Sequence, residues 1–137
     1  MPTAIQEAYG LARTTSLPYT EAVPAIKEAL KGVGFGVLWE IDIPATLKAK
    51  IGVEGFRDYV ILGACNPHLA HRALTAELDL GLLLPCNVVV YDAGEGRTAV
   101  KAIEPDKMMG FVGNPALEPV AAEAREKLLA ALEALPA

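Results

Sequence analysis

Apolar and polar positions along this chain recur with two different periods, and the switches between them mark its elements. Tyr9 to Thr15 alternates roughly as a strand does, and Ser16-Leu17-Pro18 turns the chain. Val23, Ile26, Leu30 and Val33 then fall at helical spacing. They predict a helix over 20–31, capped by Thr20, with Glu21 in the first turn and Gly32 and Gly34 at its end. Pro24 sits about a turn into that helix and removes one early donor. Phe35 to Ile41 reads as the next strand. Asp42 and Pro44 then open a short helix that stops at Gly52.

The second half carries the sharper signals. Arg57 to Cys65 reads as a strand with Tyr59, Ile61, Gly63 and Cys65 on one face. Asn66 caps a helix whose first position is Pro67, and Leu69, Ala70, Ala73 and Leu74 point inward along it as far as about Leu78. Asp79-Leu80-Gly81 connects. Cys86 to Tyr91 and Arg97 to Ile103 form a hairpin around Asp92-Ala93-Gly94-Glu95-Gly96. After Glu104-Pro105-Asp106 a short turn carries Met108 and Met109. A last helix starts between Asn114 and Pro119, with Leu117, Val120, Ala124, Leu128, Leu132 and Leu135 at helical spacing.

About five strands and four helices, with one hairpin and several crossovers, predict an α+β fold. The expected form is a two-layer α/β sandwich with a mixed sheet and helices on one face. No repeat, low-complexity tract or linker interrupts the pattern, so residues 1–137 read as a single domain. The other sheet face needs cover too, because Val88, Val90, Ile61 and Tyr59 are poor solvent-facing residues. A partner subunit is the expected cover.

Composition narrows the classes. The chain is 53% hydrophobic with a mean hydropathy of +0.32 and carries few charges, which favours a subunit contact and a homodimer. The net charge is −5 and the 12 basic residues are scattered, which argues against nucleic acid and against an anionic membrane surface. No apolar run approaches the ~18 residues that span a bilayer. The stretch from Met1 to Glu7 has neither a basic nor an apolar leader segment, so the expected address is cytoplasmic, with the two cysteines reduced.

Candidate chemistry gathers at two Cys-Asn dipeptides, Cys65-Asn66 and Cys86-Asn87, each where a strand meets a turn. If their strands are neighbours, both thiols stand at one site. Cys65 directly precedes a capped helix, whose N–H groups and dipole favour a thiolate and lower its pKa. Cysteine also packs as a small buried hydrophobe, and the sequence leaves both readings open for Cys65 and Cys86. Asn66 serves as a cap, while Asn87 interrupts an apolar strand and wants a backbone or ligand partner. His68 and His71 complete a Cys/Cys/His/His inventory, but the spacing matches no zinc finger and both histidines fall on the polar side of their helix, so no metal is expected. Asp42 is either a helix cap or a pocket carboxylate. Gly32, Gly34 and Gly36 precede a strand, whereas a phosphate loop needs its glycines after one. Ser16 is the only serine, and no triad can be drawn.

Three blocks of the chain resemble the family described as domain of unknown function 302. They are Gly34-Phe35-Gly36-Val37-Leu38 with Glu40-Ile41-Asp42, then Tyr59 to Pro67, then Leu83 to Tyr91. The resemblance runs from the first strand to the last helix. It implies a compact α/β fold and dimerisation, and it implies no particular activity or cofactor. Pro24 departs from the pattern and bears only on the first helix.

The expected function is therefore a ligand-binding homodimer. A small-molecule or anionic ligand would sit near Cys65, Asn66, Cys86 and Asn87, with His68 and Asp42 as further candidates. The alternatives are a thiol-redox enzyme using Cys65 and Cys86, and a structural dimer with inert thiols. No catalytic residue and no cofactor is identified.

Overall fold

The computed structural model describes residues 4–137. Residues 1–3, part of the stretch read above for a leader, lie outside the described residues. Six strands form one sheet: β1 (Ile5–Glu7), β2 (Gly10–Thr15), β3 (Gly36–Asp42), β4 (Tyr59–Cys65), β5 (Cys86–Gly94) and β6 (Arg97–Ile103). Their order across the sheet is β1-β2-β6-β5-β4-β3. Five helices accompany them: α1 (Tyr19–Gly32), α2 (Ile43–Ile51), α3 (Pro67–Ala76), α4 (Pro105–Gly110) and α5 (Glu118–Glu133), with short 3-10 turns at Leu78–Leu82 and Pro115–Leu117.

The two-layer sandwich holds, but the sheet is antiparallel at every pairing rather than mixed. The reason lies in what the helices connect. α1 carries the chain from β2 to β3, which run the same way but stand at separated positions with β6, β5 and β4 between them. α3 joins β4 to its antiparallel neighbour β5. No crossover therefore creates an adjacent parallel pair. The additional strand, β1, is three residues long and turns into β2 through Ala8, whose φ is 50°. Too short to show a period, it left no sequence signal.

Helices cover one face only. Leu11, Val60, Leu62, Ala64, Cys86, Val88, Val90, Val100 and Ala102 point toward Ile26 and Leu30 of α1, Leu69 and Ala73 of α3, and Val120, Leu128 and Leu132 of α5. Val88 and Val90, expected on the uncovered face, belong to this core. The buried Arg13 donates from Nη2 to the Leu135 carbonyl at 2.6 Å, tying the C-terminal turn to β2. The buried Glu104 accepts from the N–H groups of Asp106 and Lys107 at the start of α4 and pairs with Arg125 Nε of α5 at 3.1 Å.

Helix starts follow the sequence signals with one exception. Thr20 lies inside α1, and the capping position is Pro18, with no side-chain cap bond. Pro24 is accommodated within that helix. Gly34 then takes a φ of 89°, and Phe35 N–H returns to the Leu30 carbonyl at 2.9 Å.

Candidate functional site

The parity of the β4–β5 register decides where the two Cys-Asn pairs point. Ala64 stands opposite Cys86 and Gly63 opposite Asn87. Side chains alternate between faces, so Cys86 joins Ala64 under the helices, while Asn87 shares the open face with Gly63, Ile61 and Tyr59. Cys65, two residues beyond Gly63, is a diagonal neighbour of Asn87. Each dipeptide thus divides: Cys86 is buried and Asn87 exposed, while Cys65 is half-buried and Asn66 buried.

Cys65 and Cys86 still border a common cavity, together with Ala64, Leu69, Pro85 and Met109. Its volume is about 30 Å³, room for a single water and no ligand. Burial pushes the Cys65 thiol up from its ordinary pKa. Burial first, and the neighbouring Cys65 second, push Cys86 up to about 11. The expectation of a lowered Cys65 pKa is therefore overturned.

The start of α3 directs its donors to a cap. Asn66 Oδ1 accepts from the N–H groups of His68 at 3.1 Å and Leu69 at 3.2 Å, and the Asn66 carbonyl accepts from Ala70 at 2.8 Å. Pro67 has no N–H. The cap thus engages the N–H groups of His68 and Leu69, and Ala70 closes the first helical turn, so these three do not serve a thiolate or an anion. The capping role read for Asn66 is present. The anion-binding role expected of the same helix end finds the His68 and Leu69 N–H groups already engaged.

The remaining candidates are scattered. His68 and His71 are exposed on α3, and among the described residues no group of three or more His, Cys, Asp or Glu is placed to hold a metal. Asp42 caps α2, accepting from Ala45 N–H at 3.0 Å. It stands opposite Val60, whereas Cys65 stands opposite Gly36, at the other end of the β3–β4 pair and roughly 15–20 Å away at strand spacing.

The open sheet face carries the groups that sequence reading missed. Tyr59 of β4 and Tyr91 of β5 are register partners, and their rings stack at 5.3 Å with an interplanar angle of 6°. Phe56 tilts against Tyr59 at 6.4 Å. Lys101 of β6 places Nζ 5.6 Å from the Tyr91 centroid and 2.9 Å from Glu7 Oε1 of β1. The hydrogen bond to Glu7 first, and one to Tyr91 second, hold the Lys101 ammonium above its ordinary pKa. Beside this row lies a cleft of about 470 Å³, bordered by Tyr9, Tyr59, Asn87, Val89, Tyr91 and Lys101. Tyr59 and Tyr91 do occupy outward strand positions in the sequence. Their pairing could not be read, because a helix and not a tight turn joins β4 to β5, and only a tight turn sets register locally.

These features define an α+β sandwich with helices on one side and, on the other, an uncovered sheet face bearing an aromatic row and a cleft. The chain belongs to the family described as Domain of unknown function DUF302, whose model matches residues 11–135. It is similar to the crystal structure of an uncharacterized conserved DUF302 protein from Bacillus stearothermophilus. The TM-score is 0.86 at 33% identity, covering 94% of this chain and 99% of that one. No curated protein matches the chain. Among the described residues, no helix is long and apolar enough to cross a membrane.

Proposed function

We propose that this protein is a ligand-binding homodimer whose ligand lies in the cleft on the open sheet face. The observation that carries the reading is the stacked Tyr59–Tyr91 pair beside exposed Asn87 over about 470 Å³, within the size range of small-molecule sites. The rings offer a flat apolar wall, and Asn87 offers an amide donor and acceptor. Lys101 is neutralised by Glu7, so a neutral flat molecule suits the cleft better than the anion first expected. Of the residues first expected to hold a ligand, Asn87 borders this cleft, while Cys65 borders the small cavity it shares with Cys86.

The redox alternative has less behind it, because burial raises both thiols and the Asn66 cap engages the His68 and Leu69 donors. A melting-temperature screen of small aromatic compounds, run beside native mass spectrometry of freshly purified protein, tests the binding reading. Expected is a compound that stabilises the wild type and loses its effect in Asn87→Leu and Tyr91→Ala. A screen with no such compound, together with native masses holding only protein, favours the structural dimer with inert thiols.

A further inference from the structure

Residues 36–58 form a regular arm in which no residue is buried. It comprises edge strand β3, helix α2 and the segment leading into β4. The helix is well made locally: Asp42 caps its start, and Gly52, with a φ of 71°, closes its end. Yet Leu38 is 64% and Ile51 70% exposed, and Trp39, Ile41, Val53 and Phe56 are exposed as well. Ordering a residue costs about 1–2 kcal/mol of backbone entropy, normally offset by apolar burial. A nine-residue helix is marginal alone in water, and in a single copy Ile43, Pro44 and Leu47 are only half-buried and the rest of the helix is exposed.

We infer that this arm is the subunit contact of the proposed homodimer, covered by the same arm of a second copy across a two-fold axis. The inference rests on the homodimer reading and gives it a location. Three observations favour a second copy as the occupant. The first is area: these six apolar residues expose on the order of 500 Å² per copy, so a symmetric pair covers about 1,000 Å², the lower bound of a specific interface. The second is charge. Lys48, Lys50 and Arg57 stand against Glu40, Asp42, Glu54 and Asp58, three against four, a net of −1 in a chain of net −5, so like-charge repulsion between two arms is small. The third is position. β3 ends the sheet and Phe56 meets the cleft only at Tyr59, so the contact leaves the cleft's Tyr9, Tyr91 and Lys101 side open. The register shift between Val37 and Trp39 interrupts the strand edge, so side chains and not a continuous backbone ladder carry the contact.

The test is light scattering at micromolar concentration on the full chain, with Leu38→Asp and Ile51→Glu as arm variants. Leu82→Asp is the control, in a separate apolar patch whose Leu82 is 88% exposed. The wild type and Leu82→Asp are expected to be dimers, and each arm variant is expected to raise the dimer dissociation constant roughly ten-fold or more. Hydrogen exchange over residues 43–56 should be slow in the dimer and fast in the arm variants, while β5 and β6 stay protected in both, which separates dissociation from unfolding. A monomeric wild type overturns the homodimer reading itself. A dimer that survives both arm substitutions, or dissociates with Leu82→Asp instead, overturns only the placement at the arm.

Discussion

The indole of Trp39 on β3 lies directly over Gly63 on β4. The two residues are register partners, and a Cβ placed on Gly63 would stand 2.6 Å from the ring atom Cζ2. Gly63 is glycine because its neighbour's ring occupies the space a side chain would take. Gly63→Ala should push the indole off the sheet and cost about 1–3 kcal/mol. Trp39 is the only tryptophan, so its emission reports the displacement directly. Unchanged emission together with an unchanged urea midpoint would show that the ring moves aside freely.

Asn66 caps one element and lies close against another. Its Oδ1 caps α3, and its Nδ2 approaches Gly34, where a Cβ would stand 2.9 Å from that nitrogen. Asn66→Ala should lower stability by about 1–2 kcal/mol through the lost cap. Asn66→Asp keeps the capping oxygen and should recover part of the loss. Urea denaturation of the two variants is the check, and equal losses would remove the cap as the cause.

The thiols should titrate late. Burial raises Cys65 and lifts Cys86 to about 11, so alkylation of the folded protein by iodoacetamide should remain slow below pH 9. In the unfolded chain a thiol ionises near about 8.5. The unfolded state therefore loses its proton first, and stability should fall as pH rises from that value through the folded value of Cys86. Cys86→Ala should flatten this alkaline slope, and Cys65→Ser should flatten it less. Fast alkylation of Cys65 near neutral pH would revive the redox reading.

Glu104 is a buried carboxylate that caps α4 and meets Arg125 Nε at 3.1 Å. Glu104→Gln keeps an accepting oxygen for the cap but removes the charge facing Arg125. The expected loss is about 1–3 kcal/mol, since Arg125 retains contact with solvent and with Asp106. Arg125→Met in the Glu104→Gln background should restore part of it, and denaturant melts of the single and double variants measure the coupling.

Local chemistry was readable from the chain by itself. The caps at Asp42 and Asn66, proline at the start of α2 and α3, the β5–β6 hairpin and the amphipathic face of α5 all lie where residue periods and turn residues put them. Each depends on neighbours a few positions away, so the interaction that decides it is already written in sequence. The fates of the two Cys-Asn pairs depended on something else. They follow from the β4–β5 register, and a shift of one residue would have exchanged the inward and outward members of β5. Tyr59 meeting Tyr91, Trp39 covering Gly63 and Lys101 reaching Glu7 are contacts across strands far apart in the chain. The raised thiols likewise reflect burial beside residues of α3 and α5, and for Cys86 the neighbouring Cys65. Tertiary packing decided these, because pKa and exposure depend on what surrounds a group in space rather than on its neighbours in sequence.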